Sequence, residues 1–175
     1  MSLVSFRAQN HRQQVGRRGA LDKVDDRRTP RSLWEPLNEE FGFTLDVAAS
    51  AENALCDRFY SLEDNAFHHH WPGVVWCNPP YSGLDVWVAK AWEELAFDPG
   101  VGSDVIVMLL PANRTEQGWW QDYIEPYRRQ GKLEVRFLRG RLRFDTPDHD
   151  YTAQPKGNRP PFGVCLVIWR RDGRA

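Results

Sequence analysis

Residues 104–110 read DVIVMLL, an apolar run with no alternation after its first position. Such a run fits a strand covered on both faces, as strands of a parallel sheet are when helices cross it. A second one, VVWC, stands at 74–77, and between the two lies LDVWVAKAWEEL, 84–95. That segment places Leu84, Trp87, Val88, Ala91, Trp92 and Leu95 on one face at helical spacing, which predicts a helix packed on the sheet. FTLDVAA, 43–49, predicts a shorter strand that carries Asp46 near its end. Before it, Leu33, Leu37 and Phe41 repeat at helical spacing. Thr29 and Pro30 supply a capping hydroxyl and a first helical residue, Gly42 a stop, and Pro36 a kink or split. Residues 50–71 read as a short helix and then loops, and 115–127 as a weaker helix around Gly118. LEVRFL, RLRF and VCLVIW predict three late strands. Strands alternating with helices before a β-rich end specify an α/β domain whose mostly parallel sheet is closed by an antiparallel element.

A chain of 175 residues suffices for one domain, burying roughly two thirds of its unfolded surface. The domain is expected over 29–175. Residues 1–28, polar and without apolar periodicity, read as a flexible basic arm, with seven Arg or Lys against three Asp. The formal net charge is −1, so any nucleic-acid contact must come from local patches such as this arm and RRQGKLEVRFLRGRLR, 128–143. Cys56, Cys77 and Cys165 lack metal-ligand spacing and read as reduced core residues. The adjacent His68, His69 and His70 are poorly spaced to share an ion, so no metal is expected. No signal peptide and no membrane-length apolar run is present, which makes the cytoplasm of a host cell the expected location. Most of the eight tryptophans should serve packing, with one or two near a cleft able to stack on a base.

At 78–81 the second apolar run gives way to Asn-Pro-Pro-Tyr. In open α/β sheets ligands sit at the carboxyl ends of strands. The prolines stiffen the backbone and remove two N–H donors, leaving the Asn amide and a main-chain carbonyl as aimed acceptors, with the tyrosine ring as a flat face. Those parts suit a planar group bearing an exocyclic amine. Such an amine is a poor nucleophile because its lone pair is delocalised into the ring. Acceptors that draw its protons out of plane favour the pyramidal nitrogen of the transition state. The same four residues also read as a rigid turn after a strand.

NPPY after an apolar strand resembles the catalytic motif of amino-group methyltransferases that use S-adenosylmethionine. The ordered blocks TPRSLWEPL, FGFTLDVAAS with Asn53, VVWCNPPYS, VMLLPANRT, FLRGRLRF and PPFGVCLVIW resemble the phage Dam-type DNA N6-adenine methyltransferases over about 29–169. The resemblance implies a Rossmann-like methyltransferase fold and methyl transfer to the N6 amine of adenine in double-stranded DNA, in a phage- or prophage-encoded enzyme. It assigns Asn78, Pro79, Pro80 and Tyr81 to the target adenine: Asn78 Oδ1 and the Pro79 carbonyl accept from its amine, and Tyr81 stacks on the flipped base. Thr29, Pro30, Asp46, Ala48, Asn53 and Asp64 fall to the cofactor. Asp46 would meet its ammonium directly or through water, unless it caps the next turn, and Asp64 would meet its adenine, unless it belongs to a plain turn.

Two departures from the family pattern stand out. Small alanines replace a glycine-rich turn after the first strand. Only 25 residues, 49–73, separate the first two motif strands, which implies a trimmed sheet and leaves the ribose carboxylate open between Glu63 and Asp57.

Adenine inside a duplex is reached by flipping the base, so phosphate contacts must supply affinity and groove contacts sequence. Arg114 and Thr115, on a loop after the third apolar run, border the expected cleft as phosphate or pocket contacts. Arg139, Arg141 and Arg143 would share one face of a strand turned toward the backbone. The long 145–163 loop, with Lys156, Asn158 and Arg159, is the expected reader of sequence, in a monomer or homodimer. The alternatives are an N-methyltransferase acting on RNA or on a protein glutamine, and a DNA-binding relative without turnover.

Overall fold

The computed structural model describes residues 28–144 and 160–173. Its centre is one five-stranded sheet: β1 (Leu45–Asp46), β2 (Gly73–Cys77), β3 (Ser103–Pro111), β4 (Leu133–Phe137) and β5 (Val164–Arg170). The spatial order is β1-β2-β3-β5-β4. β1, β2 and β3 pair in parallel, and β5 runs antiparallel to both β3 and β4. Four strands therefore share one direction and β5 alone is reversed, the expected parallel sheet with a late antiparallel element. Residues 58–60 lengthen the β1 edge, where Phe59 bridges Asp46 in parallel and Tyr60 N–H donates to the Asp46 carbonyl at 2.8 Å. The sheet is trimmed as expected, since this short edge is all that stands between β1 and β2 in sequence.

Alternation along the inner strands divides the core in two. Val75, Cys77, Ile106, Met108, Leu110, Cys165, Val167 and Trp169 face one side. They pack against α2 (Leu84–Ala96) and against Trp119, Trp120 and Ile124 around α3 (Gly118–Tyr123) and α4 (Glu125–Arg129). Trp76, Val107, Leu109, Leu166 and Ile168 face the other side, under Trp34 and Leu37 of α1 (Arg31–Phe41). Seven of the eight tryptophans are buried, which commits them to packing and leaves half-covered Trp92 tied to the Tyr123 carbonyl. Cys77 and Cys165 lie in the core and Cys56 at its margin, all as free thiols.

Several local expectations need correction. The N-cap of α1 is Pro30, one residue later than expected, and Thr29 is buried outside the helix. Pro36 does not split α1, which continues to Phe41; the Gly42 N–H still reaches the Asn38 carbonyl, and a left-handed φ of 69° at Gly42 then turns the chain out of the helix. Residues 50–59 form turns instead of a helix. The side chains of Asp46 and Asn53 take the N–H groups of Ala48, Leu55 and Ser50 and hold the backbone there in turns. Only a 3₁₀ turn, Ala66–His68, follows. The helix expected over 115–127 is two short ones, broken at Ile124 just before Pro126, and Gly118 opens the first. RLRF, 141–144, is not a strand. Only Phe144 makes a bridge there, and β5, the neighbour of β4, begins at Val164, whose carbonyl accepts from Leu138 N–H at the end of β4.

Candidate active site

Parallel strands end at a common edge, and a reversed strand begins there. The carboxyl edge of this sheet thus collects Asp46 from β1, residues 78–81 from β2, residues 112–115 from β3, the turn after β4, and Phe162 and Gly163 entering β5. Ties between these segments are explicit. Arg114 Nη1 donates to the Tyr81 carbonyl at 2.9 Å, and Ala112 N–H donates to the Gly163 carbonyl at 2.9 Å. The Tyr81 and Phe162 rings stand 6.1 Å apart, tilted by 47°. A side chain on Gly163 would lie 3.7 Å from the Gly140 carbonyl, so the turn after β4 adjoins the same place.

Within the loop Asn78 and Pro80 are half-buried, Pro79 is buried, and Tyr81 is 9% exposed. The tyrosine is packed into the core with its ring against Phe162. Phe162 is the ring that sequence reading missed beside the loop; the signal was its place at the start of a strand antiparallel to β3. The basic turn also departs from expectation, since Arg139, Arg141 and Arg143 do not alternate on a strand. They line a groove of about 650 Å³ with Pro30, Ser32, Leu33, Leu138 and Leu142. Three other cations of the 128–143 stretch are taken up by carboxylates of the chain. Arg128 and Arg129 bind Glu125, and Arg136 binds both Glu134 and, through two 2.7 Å bonds, Glu40.

Asp46 is 2% exposed. Its oxygens accept the N–H groups of Ala48 and Leu55, both at 3.3 Å, and burial pushes its carboxyl up to about 6 despite those bonds. Burial, with the Asp46 charge added, pushes the Cys56 thiol up to about 12, which leaves it protonated and unreactive. Asn53 Oδ1 takes Ser50 N–H at 2.7 Å and closes the turn behind Ala48. Asp64 Oδ2 accepts both N–H and Oγ–H of Ser61 at 2.8 Å, bonds that lower its carboxyl and hold an exposed turn. Thr29 and Pro30 enter α1 beside the arginine groove.

Thr115 gives its carbonyl to Gln121 at 2.6 Å. Lys156, Asn158 and Arg159 lie outside the described residues, as do residues 1–27 of the basic arm. The three adjacent histidines diverge: His68 meets Asn65, His69 stacks on Tyr60, and His70 faces Glu94 and Phe97. Among the described residues no cluster of three or more His, Cys, Asp or Glu could hold a metal, and no helix is long and apolar enough to cross a membrane.

Comparison with known proteins places this edge in context. Over a 126-residue stretch the chain is 35% identical to the DNA N-6-adenine-methyltransferase of Escherichia phage T1, covering 70% of this chain and 48% of that protein. The chain thus spans about half the length of that relative. It is 39% identical over 70 residues to the methyltransferase candidate YfdM of Escherichia coli (strain K12), covering 35% of this chain and 77% of that protein. The RNA-methyltransferase candidate PH1948 of Pyrococcus horikoshii superposes with a TM-score of 0.49 at 13% identity, covering 87% of this chain and 90% of that one. That likeness is too loose to add to what the strand order already states. The family model for DNA N-6-adenine-methyltransferase (Dam) matches residues 19–173, a span that takes in every strand end gathered at the carboxyl edge: the chain belongs to that family.

Proposed function

We propose that the chain transfers a methyl group from S-adenosylmethionine to the N6 amine of adenine in double-stranded DNA. One observation carries the reading: the stiff Asn78 loop, with the Tyr81 and Phe162 rings beside it, shares one sheet edge with a groove lined by three arginines. The first suits a planar amine and the second a phosphate backbone, and an extruded nucleotide presents both within one residue of DNA.

Asn78 Oδ1 and the Pro79 carbonyl accept from the adenine amine and favour its pyramidal form, while Tyr81 holds the base plane. Rings 6.1 Å apart and tilted by 47° leave no room for a base between them, so a base stacked on Tyr81 meets Phe162 at its edge. Arg139, Arg141 and Arg143 take backbone phosphates as bidentate partners. Bound S-adenosylmethionine would supply the electrophilic methyl group. Asp46 fits its ammonium, because each carboxylate oxygen accepts one N–H and keeps a further lone pair, and a cation is what would bring that carboxyl back down.

The test is transfer of label from the cofactor to plasmid DNA by wild type and Asn78→Ala. Wild type should label DNA at adenine. N78A should bind cofactor within about twofold of wild type while transfer falls by roughly 10²–10³, the scale for removing one aimed hydrogen-bonding group. Label appearing in RNA or protein and not in DNA sinks the proposal, and loss of cofactor binding in proportion to transfer would mean the loop is misassigned.

A further inference from the structure

In the Asn78 loop two consecutive prolines, Pro79 and Pro80, fix φ but remove two N–H groups of the kind through which a loop is ordinarily pinned to its neighbours. A bond from another segment to a carbonyl of the loop then adds to the hold on Asn78. Arg114 supplies such a hold: its Nη1 donates to the Tyr81 carbonyl at 2.9 Å, across 33 residues of sequence, in a partly buried setting. A charged donor makes a stronger bond to a carbonyl than a neutral one does.

The base from which Arg114 reaches is itself fastened on both sides. Ala112 N–H bonds to the Gly163 carbonyl at 2.9 Å, and the Arg114 carbonyl receives Gln117 N–H at 3.2 Å as α3 begins. The loop after β2 is therefore referenced to the end of β3 and, through Gly163, to the segment carrying Phe162. We propose that Arg114 is a positioning residue. It acts through the Tyr81 carbonyl to hold the Asn78 loop in register with the segment carrying Phe162, and it does not serve as a contact to DNA phosphate. The inference rests on the methyltransferase reading for its kinetic arm, while its structural arm stands apart.

Arg114→Met keeps the length of the stem and removes the donor; Arg114→Lys keeps charge and a donor without the planar fork. In R114M, kcat for methyl transfer to DNA should fall by ~10²-fold, the scale of a small misplacement of reacting groups. KM and equilibrium affinity for DNA should stay within about twofold and the salt dependence of binding should be unchanged. Hydrogen exchange at the Tyr81 and Ser82 amides should quicken, with R114K intermediate in both readouts. A drop in DNA affinity with a salt slope reduced by roughly one phosphate, and exchange left as in wild type, overturns the proposal in favour of a backbone contact. Unchanged kcat together with unchanged exchange overturns it outright. If R114M fails to fold, R114K against wild type provides the same pair of readings. A wild-type protein that labels no DNA counts against the methyltransferase reading alone, and exchange at Tyr81 still decides the latch.

Discussion

Two carboxylates are buried at opposite edges of the same sheet, and their surroundings differ. At the amino edge Glu94 is fully buried, with Lys90 Nζ at 2.7 Å from one oxygen and Trp71 N–H at 2.8 Å from the other. Ser103 Oγ–H reaches the Trp71 carbonyl at 2.5 Å, and Arg171 binds the Ser103 carbonyl and the Phe97 carbonyl after α2. At the carboxyl edge Asp46 has two N–H groups, each at 3.3 Å, and among the described residues no cation pairs with it. One edge closes its polar groups on each other and knits α2 to β3. The other retains a carboxylate that burial disfavours, as the proposed cofactor role of Asp46 requires.

The largest effect should come from the closed edge. Glu94→Ala leaves a buried Trp71 N–H without its acceptor and Lys90 with, among the described residues, only the exposed Glu93 carboxylate at 3.5 Å, and removing one partner of a buried pair costs about 3–5 kcal/mol. Urea unfolding should show that loss in midpoint, while cofactor affinity of the folded fraction stays unchanged. A cost below about 1 kcal/mol would break the contrast between the edges, because Glu94 would then be no better answered than Asp46.

How legible this was in the sequence follows the range of the forces involved. β2, β3 and α2 were readable because apolar spacing reports burial directly, and every residue placed on the inner face of α2 packs on the sheet. Glu94 and Lys90 were not: four residues apart on a helix, they look like a solvated pair. Only the arrival of Trp71 before β2 draws them inside. The failed strand at 141–144 has the same origin, since strand propensity counts for little where the neighbour has already turned away. Arg136 meets Glu40 across 96 residues, so no local charge count could show which cations of 128–143 remain for a ligand. In the candidate site, the place of the Asn78 loop was legible because an apolar strand runs directly into it. Phe162 and the latch from Arg114 depend on which strands adjoin, and needed the topology.

The next effect concerns Asp46. Burial raises its carboxyl from 3.8 to about 6, so between those values the folded protein holds a proton that the unfolded chain has lost. Stability from this group is therefore present below about pH 4, declines as pH rises, and levels off above about 6; the full difference is about 3 kcal/mol. Glu125, held near 2 by Arg128 and Arg129, acts in the opposite sense at acid pH, so the comparison has to be with Asp46→Asn under matched conditions. The stability of D46N relative to wild type should rise by up to that amount between pH 4 and 7. S-adenosylmethionine should bind wild type more tightly as pH passes through 6, and D46N should show no such rise. Flat affinity in wild type would reduce Asp46 to a cap on the turn it already holds.

The smallest effect separates arginines that answer the chain from those that line the groove. Arg128 and Arg129 are committed to Glu125, whereas Arg139 and Arg141 line the groove by the turn after β4, at the same sheet edge as the Asn78 loop. Each phosphate contact contributes about 0.9 to the slope of log affinity against log salt. R139A and R141A should each lower that slope by about this much, weaken DNA binding evenly across sequences and leave kcat at saturating DNA intact. R128A should leave the slope where it was, because its guanidinium is already spent on a carboxylate. Equal slopes for all three variants would mean that DNA approaches by the charge of the whole 128–143 stretch. Unequal slopes in the stated direction would mean that the groove, and not composition, sets the path of the backbone.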